Sequence, residues 1–356
     1  MNHSIKILGA IFIVLSITLN ACEKVEIELP EVETLDVKYV RRTFAQLEGS
    51  KIAIDTAFQT SYGFCWSTQS LPTIDDNTGN VVSFDLSGVD GLYFRANVKG
   101  LIPGTTYYLR AYATNLDGTG YGEEKTFSTL EASSSITFNP DLGYGTVADI
   151  EGNTYKTIEI GTQTWMAENL RTTLYCDNTA IPYVIEGNKW EHLTTPGYCW
   201  YDNNEEFYKE LYGAYYNWHT VNTGKLCPSG WHVPSDEEWK TLEIYLGMSP
   251  EDADSPALRG TSEGLMFKET GTGNWDPEDH LSGTNESGFT GLPGGFRWDN
   301  DDSHFGGEGI VSFWWTSSES AENVWAYNRM IYNFNAMIYR DSRSVEWGFN
   351  VRCLKD

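Results

Sequence analysis

Short period-two segments dominate the first third of the chain. Residues 51–58 set Ile52, Ile54 and Thr56 against Ala53, Asp55 and Ala57, the alternation of a strand with two unlike faces. Similar runs recur at 62–67, 92–98, 106–114 and 125–129, parted by turn-rich stretches such as 72–80 and Asp117-Gly118. Several short strands punctuated this way build an antiparallel sandwich, so residues 34–130 are expected to form an all-β domain. Composition agrees that the chain folds: 13 Trp, 21 Tyr and 16 Phe are too much ring surface for a disordered acidic polymer. The full 356 residues exceed what one ordinary core needs, which leaves room for a second folded unit.

Residues 131–145 open on Glu131-Ala132-Ser133-Ser134-Ser135 and break periodicity, so they read as a linker. The second domain, 146–356, starts with two alternating segments about a Gly152-Asn153 turn, a hairpin, followed by a third strand at 162–166. At 212–218 rings fall three and four apart, which predicts a short helix with one aromatic face. Ser235-Asp236-Glu237-Glu238 is a capping box, and a helix from there to Leu246 should turn Trp239, Leu242, Tyr245 and Leu246 toward the core. The remainder reads as strands and loops around 288–297, 312–319, 336–340 and 348–353. This half is therefore α+β.

The N-terminus carries Lys6, an apolar run from 7 to 19 and then Ala21-Cys22. A run of about 13 residues is an export signal rather than a membrane span, which takes about 20. Ala21-Cys22 resembles the lipobox of bacterial lipoproteins, so residues 1–22 form a signal peptide and Cys22 is the expected lipidation site. Residues 23–33, acidic and interrupted by Pro30, read as an extended tether.

Two further resemblances fix the domains. The run Gly100-Leu101-Ile102-Pro103-Gly104-Thr105-Thr106-Tyr107-Tyr108-Leu109 resembles the corner between strands E and F of fibronectin type III domains, in which Leu101 would plug the core and Tyr107 would return its hydroxyl to the backbone. The segments 161–170, Cys227-Pro228-Ser229-Gly230-Trp231-His232-Val233-Pro234-Ser235 and Val351-Arg352-Cys353 together resemble the Fibrobacter succinogenes major paralogous domain family, exported bacterial proteins with a C-type-lectin-like fold. The expected fold class is thus mixed, an immunoglobulin/fibronectin III-like sandwich followed by an α+β lectin-like domain. That fold implies a disulfide between Cys227 and Cys353, with Cys176 and Cys199 as a second pair and Cys65 left as a buried thiol.

A formal charge of −26 repels phosphate backbones, which argues against nucleic acid as a partner. No Gly-x-Ser-x-Gly elbow, P-loop or dinucleotide fingerprint occurs, and Cys227 with His232 lacks the second ligand pair of a zinc site. The acidic loop from Trp298 to Asp302 fails the calcium-loop pattern, with His304 where Gly and Ile310 where Glu would stand. No metal, cofactor or enzymatic activity is expected. Trp298, Asp299, Asp301 and Trp315 are the ligand-binding candidates, because indole faces stack on sugars and nearby carboxylates accept from hydroxyls. The expectation is a lipid-anchored protein of the outer membrane, exposed at the cell surface and touching the membrane by its anchor alone. It would bind a glycan or a protein, the alternatives being a surface enzyme acting on polysaccharide or a purely structural envelope component.

Overall fold

The computed structural model describes residues 29–38, 40–53, 61–75, 80–85, 93–131, 135–271, 274–276, 281–298, 305–320 and 324–356. The segment expected as a signal peptide, with Cys22, lies outside them. Two compact units emerge: the first from Met1–Asp36, Glu48–Ala96 and Tyr108–Lys125, the second from Val37–Leu47, Asn97–Tyr107 and Thr126–Asp356.

The N-terminal strands are antiparallel throughout the pairings described. Glu31–Thr34, Phe44–Ala53 and Tyr93–Lys99 make one sheet; Asn80–Asp85, Ser61–Ser67, Thr106–Asn115 and Gly118–Tyr121 make another, with Lys125–Ser128 also on Thr106–Asn115. Phe94 packs edge-on to Tyr62 at 4.8 Å and against Phe64 at 4.9 Å, so the two sheets meet through rings on their inner faces. The tether expected at 23–33 ends earlier than its composition suggests. Val32 and Thr34 are buried while Glu31 and Glu33 face water, the alternation of an edge strand, and this strand pairs with 49–53. In the second unit Leu101 is buried and the Tyr107 hydroxyl accepts from the Ile102 N–H at 2.9 Å, closing the corner that Gly104 turns at φ +62°.

The rest of the second unit is organised by two sheets and one helix. Gly145–Ala148, Thr154–Ile160 and Gln163–Met166 pair in sequence, and Leu354–Lys355 and Trp231–His232 extend the same sheet. Ala257–Arg259, Ile338–Ser344, Trp325–Tyr332 and Val311–Glu319 form the other, in that order. The stretch expected as a linker is partly built in: Phe138 and Tyr144 pack edge to face, and Lys156 lies over the Phe138 ring.

Ser235 caps the helix Asp236–Tyr245 with both bonds of the capping box. Trp239 and Leu242 are buried as the helical spacing requires, but Tyr245 is 64% exposed and lies along Gly161 rather than in the core. Two carboxylates share the buried face. Glu243 accepts from Arg259 Nη2 at 2.9 Å and Arg329 Nε at 2.7 Å, and Asp236 accepts from Arg329 Nη1 and Arg340 Nη2, each at 2.7 Å. Burial pushes the Asp236 carboxyl up, but Arg340 and Arg329 outweigh it and hold it well below the usual range.

No helix forms at 212–218. The helix Glu205–Tyr212 ends at Gly213, whose φ of +71° is left-handed and whose Cβ would strike the Leu170 carbonyl; Tyr215–Tyr216 is then extended, pairing with Tyr198–Cys199. The rings at 215 and 216 enter different aromatic clusters, as strand alternation demands.

Cys227 and Cys353 form a disulfide across 126 residues, a closure that constrains the unfolded chain by about 4 to 5 kcal/mol in the entropic account. Cys176 and Cys199 do not pair. Cys199 is buried among Trp190, Tyr201 and Tyr215, where burial pushes its thiol up, while Cys176 is half-exposed beside Lys225. Cys65 is buried, its thiol donating to Pro72 O at 3.3 Å.

Removing Glu243 leaves buried Arg259 without its carboxylate and Arg329 with Asp236 alone, so Glu243→Ala should lower stability by about 3 to 5 kcal/mol in urea unfolding. His232 sits between Asp356 at 2.6 Å and Glu238 at 2.9 Å, so both ring nitrogens donate to carboxylates. Burial pushes its pKa down, but the two carboxylates raise it overall. The resulting stabilisation is complete below the unfolded imidazole pKa and fades as pH rises through the higher folded one. An NMR titration should place His232 above the ordinary imidazole value, and Asp356→Asn should bring it down.

Candidate functional site

Strand alternation around Arg297 creates the aromatic group most open to a ligand. Arg297 points inward: its Nη1 donates to Val184 O at 2.8 Å, its Nη2 to Ile185 O at 3.1 Å, and its guanidinium lies 4.2 Å over the Trp190 ring. Phe296 and Trp298 must then take the opposite side. Arg297 and Gly348 exchange backbone hydrogen bonds of 2.9 and 2.8 Å, which sets Trp347 beside Trp298 on that side. Phe296 stacks on Trp347 with centroids 5.5 Å apart and planes 5° from parallel, and meets Trp298 edge-on at 4.9 Å. All three rings are half-buried. Gly306, opposite Phe296 in a two-residue ladder, lies beside the Trp298 ring, and a Cβ there would meet its edge at 3.5 Å, an ordinary contact.

The polar rim belongs to the strand Ile338–Ser344 and the turn after it. Arg343 lies 5.6 Å from the Trp347 centroid and pairs with Asp341 at 2.7 Å, while Ser344 donates to Glu346. Among the described residues, the buried atoms Trp298 Nε1 and Arg343 Nε have no hydrogen-bond partner. Stacking faces beside unused donors suit a ligand that is apolar on one face and rich in oxygen acceptors on its edge.

Of the residues singled out from sequence, Trp298 belongs to this group, and Asp299 and Asp301 lie outside the described residues. Trp315 does not belong. It is fully buried, 4.3 Å from Phe349, and its Nε1 donates to Tyr216 O at 2.8 Å. Alternation puts Trp314 and Trp315 on opposite faces of their strand, yet both faces are covered, each by a separate aromatic cluster. Phe296, Arg343 and the part played by Trp347 escaped sequence reading, because the 297–348 bridge that assembles them joins residues far apart in the chain. Among the described residues no group of three or more His, Cys, Asp and Glu converges as a metal site. Among them, too, no helix is long and apolar enough to cross a membrane.

Residues 158–355 match the Fibrobacter succinogenes major domain. No curated protein matches the chain. Among solved structures, the sensor domain of the anti-sigma factor RsgI4 from Pseudobacteroides cellulosolvens aligns at 17% identity and a TM-score of 0.23, over 35% of this chain and 98% of that one. The sixth fibronectin type III domain of human fibronectin type III domain containing protein 3 aligns at 22% identity and a TM-score of 0.23, over 30% of this chain and 92% of that domain.

Trp315→Ala should cost about 3 to 5 kcal/mol in urea unfolding, whereas Trp298→Ala, which removes a half-buried ring, should cost less than about half as much. Equal losses would mean that Trp298 is a packing residue.

Proposed function

The chain belongs to the Fibrobacter succinogenes major domain family, matched over residues 158–355, and from that premise we propose that it is a lipid-anchored protein of the bacterial cell surface, without enzymatic activity. Its N-terminal strands serve as a fibronectin III-like spacer, and its C-terminal part is a lectin-like module that binds glycan. The corner made by Tyr107 and Ile102 supports the fibronectin III-like reading of the spacer. The disulfide between Cys227 and Cys353 supports residence in an oxidising compartment, as an exported protein requires. Cys22 serves as the anchor, and because two or more acyl chains hold a protein stably on a bilayer, the folded parts need no membrane contact of their own.

The observation that carries the binding reading is the Phe296, Trp298 and Trp347 group with its unpartnered indole N–H. Pyranose rings present apolar C–H faces and hydroxyl edges, which such a group matches at once. Asp341, the carboxylate nearest Arg343, is already ion-paired, which favours holding a ligand over transferring a proton to it.

On a glycan array the full chain should retain binding in the presence of chelator, and Trp298→Ala should weaken it about tenfold or more. Binding unchanged in that variant would remove the site. Release of new reducing ends from a polysaccharide panel would instead establish the enzyme.

A further inference from the structure

We infer that the binding face runs on from the Trp298 group across the open half of the four-stranded sheet, and that its occupant is an extended, uncharged oligosaccharide rather than a single sugar. This rests on the glycan reading above and says what kind of glycan fits.

The two faces of that sheet are unlike. Register sets Arg259, Arg340, Arg329 and Trp314 on the face toward the helix Asp236–Tyr245. The opposite face carries Phe313 and Trp315 on one strand, Asn328 and Met330 on the next, and Tyr339, Asp341 and Arg343 on the third. The aromatic core covers the first of these strands, and Phe313 and Trp315 are buried; Tyr339, Asp341 and Arg343 are only partly so. Half of one sheet face therefore remains open as a stripe. Its span from Tyr339 to Arg343 is about 13 Å at the rise of a strand, longer than one sugar ring.

Rings close the stripe at both ends. Tyr332 packs on Tyr339 at 5.3 Å and on Phe334 at 5.0 Å, and Phe334 is 50% exposed. At the other end Arg343 leads to Trp347, Phe296 and Trp298. Between them lies the Asp341–Arg343 pair, and cross-strand from Asp341 is Asn328, fully buried, with neither Nδ2 nor Oδ1 hydrogen-bonded among the described residues.

Three considerations select the occupant. The net charge of −26 repels polyanions, and the two charges on the stripe neutralise each other. Ala257–Arg259 pairs with Ile338–Arg340, so the outer edge beside Tyr339 is already engaged and a peptide could add as a strand only over the few residues beyond Arg340. What the face offers is ring surface alternating with side-chain donors and acceptors, repeated over a length that several linked sugars would fill.

The test is calorimetry on the full chain with linear cello-, xylo-, manno- and laminari-oligosaccharides of about two to six units, with polygalacturonate as the charged control. In at least one series affinity should rise about tenfold or more with chain length, and Tyr339→Ala and Phe334→Ala should each remove most of that gain while leaving short-chain affinity within about twofold. Phe334, half-exposed, guards against a folding defect in the Tyr339 variant. Binding that ignores chain length and both variants, yet is lost in Trp298→Ala, overturns the extended face and leaves the Trp298 site standing. No binding to any series overturns both, and binding to polygalacturonate alone overturns the choice of an uncharged ligand.

Discussion

The second unit depends on an ion cluster sealed between one helix and one sheet. Glu243 is fully buried with Arg259 and Arg329 on its two oxygens, and Asp236 takes Arg329 and Arg340. Charges removed from water this completely are tolerable only in complementary geometry, because an unmatched member costs several kcal/mol. A slip of one residue in the strand Trp325–Tyr332 would carry Arg329 to the far face and take from both carboxylates the guanidinium they share, leaving Glu243 with Arg259 and Asp236 with Arg340. Whatever the cluster contributes in net stability, it restricts helix and sheet to one mutual register. That register in turn sends Asn328, Asp341 and Arg343 to the other face, so the stripe proposed to bind is set by interactions on the opposite side of the sheet.

Local signals in the sequence translated well where the physics is local. The Ser235 capping box needs only residues three positions apart, and the corner at Tyr107 needs only the five residues back to Ile102; both formed as their spacing requires. The 212–218 stretch failed for the same reason. Rings at that spacing satisfy a helical stripe, but Gly213 takes a left-handed conformation and the rings at 215 and 216 part to two clusters whose other members are remote in sequence. Tyr245 shows a related limit: helical phase places it near the core side, yet the helix is at its last residue there, and the ring covers Gly161 at the surface.

The site was half legible. Alternation of Phe296, Arg297 and Trp298 is visible in the chain, but which side faces in is decided by the carbonyls of Val184 and Ile185 that receive Arg297. Trp315 had the same composition cues as Trp298 and the opposite fate, because Phe349 and Tyr216 close over it. Neither outcome can be read from neighbours in sequence. Both follow from which backbone oxygens and ring faces the distant loops bring up.

Arg297 belongs to a wider pattern that bears on ligand charge. Much of the second unit is loop, and buried loop carbonyls lack the partners that a ladder supplies. Cationic side chains fill that place. Lys268 Nζ donates to Asn335 O at 2.7 Å and Asn333 O at 3.2 Å, and Arg352 donates to Thr290 O at 2.9 Å and to Phe289 O. Burial pushes Lys268 down to about 8. None of Lys268, Arg297 and Arg352 forms an ion pair with a carboxylate among the described residues. The chain has 24 basic residues to set against 50 acidic ones, and here it spends several of the former on backbone oxygens in the interior. The repulsion of a polyanion at long range is set by the net charge of −26, to which these buried cations still contribute. Recognition on the proposed stripe would then work through ring faces and paired charges, which is why the ligand proposed for it is an uncharged carbohydrate.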